Sequence, residues 1–112
     1  MEDKRKNQRF KTLAQVHIPS ILNGENLLKD LSITGCCVEC SAYSEIKPDT
    51  RYKLEIIPEQ KSNIHSFILE VESKWVRSTG YSGEIGFDVI AFPKGKQFQN
   101  YVDYLAYRSS PQ

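Results

Sequence analysis

The sequence predicts a mainly β domain: a six-stranded antiparallel β-barrel with a C-terminal α-helix packed on it. Three observations predict this. Six short segments alternate apolar and polar residues with period two, as half-buried strands do. Turn-forming residues punctuate them, at Asn23-Gly24, Pro48-Asp49, Pro58 and the run from Gly80 to Gly83. After Pro93 and Gly95 the apolar period lengthens to that of a helix. A chain of 112 residues with 39% hydrophobic and 26% charged residues suits one domain with a single modest core.

Taken in order, Thr12–Ile18 sets Ala14, Val16 and Ile18 against Leu13, Gln15 and His17. Glu25–Leu31 follows the Asn23-Gly24 turn signal as a second strand. Gly35–Cys40 puts Cys36, Val38 and Cys40 on one face, with Cys37 and Glu39 on the other. Tyr52–Ile57 runs from the Pro48-Asp49 turn to Pro58. The long segment His65–Arg77 aligns Phe67, Leu69 and Val71, and it also carries Trp75. Gly83–Ile90 aligns Ile85, Phe87 and Val89. Phe98, Tyr101, Val102 and Leu105 then fall at i, i+3, i+4 and i+7, one face of a helix of about three turns. Six strands followed by one helix fit a small antiparallel barrel with the helix on it.

Charge divides the chain into a basic arm, residues 1–11, and a body, residues 12–112. The net charge is +1, yet the arm holds Lys4, Arg5, Lys6, Arg9 and Lys11 against Glu2 and Asp3. That gives the arm +3 and leaves the body −2, a distribution suited to an anionic ligand met by the arm. The arm has no evident core and is expected to be flexible. No apolar run approaches the roughly 18 residues of a membrane span, so no membrane insertion is expected. Charges beginning at Glu2 leave no room for a signal core. Cys36, Cys37 and Cys40, an odd number within five residues, fit a reducing compartment. The expected location is the cytoplasm.

The same cysteines do not predict a metal. Tetrahedral zinc needs a fourth ligand, and His17 and His65 lie in different strands outside any ligand spacing. Cys36 and Cys40 instead suit the inward face of a strand, where cysteine acts as a small hydrophobe. Cys37 is expected on the outer face, where a thiol could react, but nothing marks it as a nucleophile. Ser32 has no base near it in sequence and no flanking nucleophile-elbow glycines. No catalytic residue, cofactor or metal site is therefore expected, and the protein is not read as an enzyme.

Two motifs remain, Arg5-x-x-x-Arg9 and Asp30-x-Ser32-x-x-Gly35, about twenty residues apart. In this order, with the strand pattern, the Gly-x-Phe of "EIGFDVI" and the C-terminal helix, they resemble the PilZ domain over nearly the whole chain. That family is the bacterial receptor module for cyclic di-guanylate (c-di-GMP). The resemblance implies a split barrel of stand-alone type, c-di-GMP as ligand, and an effector protein as partner. It also implies an output in motility, exopolysaccharide production or virulence. The implied ligand residues are Arg5, Arg9, Asp30, Ser32 and Gly35. Lys4, beside the first arginine, and Trp75, by stacking or else by packing in the core, are candidates for additional contacts.

The chemistry of these residues suits that ligand. Guanine offers O6 and N7 acceptors to a bidentate guanidinium, and arginine also forks onto phosphate and stacks on π faces. The opposite edge of guanine presents N1–H and N2–H₂ donors, which a carboxylate such as Asp30 accepts. Ser32, two residues on in extended chain, would face the same side. Gly35 would permit positive φ or a close approach of ligand to backbone. A rival reading, a small barrel binding single-stranded nucleic acid through the arginines and Tyr81 or Tyr104, wants a continuous basic track. The negative body speaks against it, and no nucleic-acid partner is expected. A PilZ-like protein-interaction domain without ligand is the third reading. Such domains usually lose the motif residues, and here all five are present.

Overall fold

Alternating burial follows the alternating sequence, and the strands curl it into a closed surface. The computed structural model describes residues 8–21 and 26–109. The Asn23-Gly24 turn signal, Lys4 and Arg5 lie outside the described residues. In chain order the strands are β1 (Phe10–Lys11), β2 (Gln15–His17), β3 (Asn26–Leu31), β4 (Gly35–Cys40), β5 (Arg51–Ile57), β6 (Phe67–Ser78) and β7 (Gly83–Ala91). The helix α1 spans Gln97–Ser109, and short 3₁₀ turns occupy Tyr43–Glu45 and Gln60–Ser62.

All pairings are antiparallel. The sheet order is β1-β3-β2-β5-β6-β7-β4, and a further pairing of β3 with β4 closes β2 to β7 into the expected six-stranded barrel. β1 is one strand more than the sequence predicts. It pairs Phe10 with Leu31 and Lys11 with Asp30, so the last residues assigned to the basic arm belong to the sheet. The expected strand from Thr12 to Ile18 is correspondingly broken. The Thr12 hydroxyl donates to the Leu28 carbonyl (2.8 Å) and accepts the Ala14 amide (3.0 Å), which kinks the chain between β1 and β2.

Ala14, Val16 and Ile18 meet Leu28, Leu31, Cys36, Val38, Cys40, Leu54, Ile56, Leu69, Val71, Ile85 and Phe87 in one core. Cys36 and Cys40 are fully buried there, as expected. Cys37 is not the accessible thiol the alternation implies. It is only 7% exposed, and burial pushes its pKa up to about 11, so it stays protonated at neutral pH.

Helix α1 buries Phe98, Tyr101, Val102 and Leu105, the four positions its periodicity singles out. Phe67 of β6 receives it, with ring centroids 5.7 Å from Phe98 and 6.1 Å from Tyr101. A polar clamp fixes the last two turns. The Tyr101 hydroxyl donates to Glu59 Oε1 (2.6 Å), and Arg108 Nη1 donates to Glu59 Oε2 (2.7 Å). Arg108 Nη2 also donates to the Lys11 carbonyl, which ties the helix end to β1. Hydrogen bonds to charged groups contribute about 1.5–3 kcal/mol, more than neutral ones. Tyr101→Phe is therefore expected to lower stability by about 1–3 kcal/mol. Urea unfolding would show this as a lower midpoint at constant slope.

Candidate ligand-binding face

Two β-bulges build the site, one on each side of the β4–β7 pair. In β3 the register jumps between Leu28, opposite Val38, and Asp30, opposite Cys37. In β6 it jumps between Ser73, opposite Phe87, and Trp75, opposite Gly86. A bulge sets two residues against one and shifts the inward-outward phase beyond it. Strict alternation from buried Leu28 and Ser73 would turn Asp30 and Trp75 into the barrel. The bulges turn both outward, while Leu31 remains in the core. Asp30, Cys37, Gly86 and Trp75 thus form one lateral row on the outer face, across β3, β4, β7 and β6. Three inter-strand steps of about 4.8 Å make the row about 14 Å long.

At the β3 end Arg9 Nη1 donates to Asp30 Oδ1 at 2.9 Å, with both side chains about one-third exposed. The structure thereby brings together two residues 21 positions apart from the two sequence motifs. Gly35 is required by close approach rather than by φ. A Cβ there would lie 2.6 Å from the Phe87 carbonyl oxygen and 3.3 Å from Arg9 Nη2. Ser32 is placed differently from the expectation that it faces ligand beside Asp30. It is 1% exposed, and its hydroxyl accepts the amides of Thr34 and Gly35, both at 3.2 Å. The Ser32 amide in turn donates to the Gly35 carbonyl (2.9 Å), so Ser32 shapes the β3–β4 turn.

At the β6 end Trp75 is 43% exposed and lies over Gly86. A Cβ on Gly86 would fall 2.2 Å from the indole Nε1, so glycine alone lets the ring lie down on β7. Beside it, the Arg77 guanidinium carbon lies over the indole, 5.4 Å from its centre, and Arg77 donates to Glu84 Oε1. Lys29 of the β3 bulge bonds the other oxygen of Glu84. These two cations, Lys29 first, hold the Glu84 carboxyl below the usual range. Lys74 of the β6 bulge reaches Glu72 (3.4 Å) and Asp88 (4.0 Å). Among the described residues no three His, Cys, Asp or Glu side chains converge as a metal site.

The face therefore presents small residues as a floor, an indole at one end and an arginine–carboxylate pair at the other. Such an arrangement offers stacking and directional polar contacts to a planar, anionic ligand. Arg9, Asp30, Gly35 and Trp75 are assembled, Ser32 supports the turn, and Arg5 and Lys4 lie outside the described residues. Sequence reasoning missed Lys29, Arg77 and Glu84, whose only signal would have been the cross-strand register.

Comparison with solved structures identifies the architecture. The PilZ domain with c-di-GMP of YcgR from Escherichia coli superposes with a TM-score of 0.71 at 13% identity, covering 96% of this chain and 95% of that one. The Bacillus subtilis inhibitor of motility, MotI/DgrA, gives 0.73 at 16% identity, over 96% of this chain and 51% of that one. YcgR from Escherichia coli in complex with c-di-GMP gives 0.70 at 15% identity, over 95% of this chain and 47% of that one. This chain thus spans about half the length of the latter two. No protein-family model matches the chain, and no curated protein sequence matches it. The chain has the fold of a PilZ domain.

Gly86 gives the face a direct test. Trp75 is the chain's single tryptophan, so its fluorescence reports this site alone. Gly86→Ala is expected to lift the indole off β7, shift its emission to the red and destabilise the fold by about 1–3 kcal/mol. Unchanged emission would show that the ring does not rest on Gly86.

Proposed function

We propose that this protein is a c-di-GMP receptor whose outer barrel face, from Arg9 and Asp30 to Trp75, binds the ligand. The observation that carries the reading is the 2.9 Å pair of Arg9 and Asp30 above the Gly35 turn. It joins both motifs on a PilZ fold, and neighbours of that fold were solved with c-di-GMP. Asp30 accepts guanine N1–H and N2–H₂, while Arg9 and Arg5 grip phosphate and the Hoogsteen edge. Trp75 stacks a base. Ser32 acts by holding the turn, and Lys4 adds a contact from the arm. Nothing in this reading requires catalysis: binding itself is the signal.

Binding closes the arm over the face and alters the surface offered to an effector protein. Regulation of motility is the favoured output, because one neighbour is named an inhibitor of motility. A cytoplasmic location suits a second-messenger receptor, and no helix among the described residues is long and apolar enough to cross a membrane.

Calorimetry is the first test. Arg5→Ala, Arg9→Ala and Asp30→Ala are each expected to weaken c-di-GMP binding at least about tenfold, the loss of a charge-assisted contact. Cyclic di-adenylate, which lacks the N1–H and N2–H₂ donor pair, is expected to bind the parent poorly. Equal affinity for the two dinucleotides would overturn the role given to Asp30.

Hydrogen exchange tests the closure. Ligand is expected to raise amide protection in residues 4–9, ahead of β1, and in residues 30–35, and to change residues 102–105 little. Full protection of residues 4–9 before ligand is added would refute the closing arm.

A further inference from the structure

Arg77 stands outside both sequence motifs, yet the fold sets it on the ligand face. The β6 bulge turns Trp75 outward, and Arg77, two residues on, shares its side of the strand. Its guanidinium carbon lies 5.4 Å from the centre of the indole. Glu84, only 8% exposed, anchors it from the neighbouring strand, opposite it in the register. Glu84 is shared between Arg77 and Lys29, and Glu39 lies opposite Glu84 in the register, so the four charges balance and what the cluster offers a ligand is the placement of the guanidinium.

We infer that Arg77 is a base-clamping residue: a purine stacked on Trp75 is covered on its second face by the Arg77 guanidinium. This inference rests on the c-di-GMP reading above and adds to it the residue that closes the stacking site. Two successive stacking distances of about 3.5 Å would place the guanidinium about 7 Å from the indole. The separation is 5.4 Å, so the guanidinium moves outward to admit the base. The side chain is 65% exposed, so nothing packed above it blocks that movement. A planar guanidinium stacks on a π face where an ammonium does not, so the role is specific to arginine. Glu84 acts as a positioning residue that holds the guanidinium at the indole.

The experiment combines calorimetry with tryptophan fluorescence, using c-di-GMP as the probe and the full chain as protein. The parent is expected to bind with quenching of Trp75. Arg77→Ala and Arg77→Lys are each expected to bind about tenfold more weakly, equal to about 1.4 kcal/mol. Arg77→Ala leaves Glu84 its Lys29 partner, and thermal melting checks that the barrel survives. Should that variant melt early, Arg77→Lys, which keeps the charge beside Glu84, carries the decision alone. A loss below about threefold in Arg77→Lys overturns the clamp, since charge alone would then suffice. A parent that binds without any change in Trp75 emission overturns it as well, while leaving the receptor reading intact. A parent that gives no heat with c-di-GMP removes the receptor reading, and the clamp with it.

Discussion

The two β-bulges that flank β4 and β7 are the constraint on which the site depends. Each sets two residues of an outer strand against one residue of the central pair: Lys29 and Asp30 against Cys37, Lys74 and Trp75 against Gly86. The barrel closes with its apolar side chains inward, and the bulges alone let polar and aromatic groups appear at positions where alternation would bury them. Removing either bulge would drive a carboxylate or an indole toward the core and expose the residues that follow. Core and face are therefore specified by the same four strands, and neither can be redesigned without the other.

The two ends of the row are held differently. Arg9 and Asp30 are each about one-third exposed, and such a pair contributes about 0–1 kcal/mol. That contact can be exchanged for another with little effect on the fold. Glu84 is nearly buried and held by two cations, so it is a fixed element of the surface. One end of the site is thus exchangeable and the other preset. That contrast suits the proposed receptor, in which the arm would move while a base-stacking platform stays in place.

Most of the fold was legible because burial repeats with a fixed period. Ala14, Val16 and Ile18, and separately Phe98, Tyr101, Val102 and Leu105, are buried as their spacings require. Motif spacing alone singles out Asp30, Arg9 and Gly35. Three features were not legible, each for a physical reason. The bulges leave no trace in composition, so the outward turn of Trp75 could not be chosen over core packing. Cys37 looked accessible from its phase, but neighbours on both strands cover a small side chain at the centre of a sheet. Ser32 reads as a ligand group from its spacing, but a serine in a turn bonds nearby amides, and here it holds those of Thr34 and Gly35.

The pairing of β4 with β7 also governs when the site can exist during folding. β3 and β4 form a local hairpin, as do β6 and β7, yet the row is continuous only after Gly35 to Cys40 align with Asp88 to Gly83, across more than forty intervening residues. Such non-local closure comes late, because loop entropy must be overcome before the contacts offset it. A half-assembled chain therefore carries two separate halves of the row, Asp30 with Cys37 and Gly86 with Trp75. A ligand of this face would leave the folding rate nearly untouched and slow unfolding instead, lengthening the lifetime of chains that have already closed the barrel.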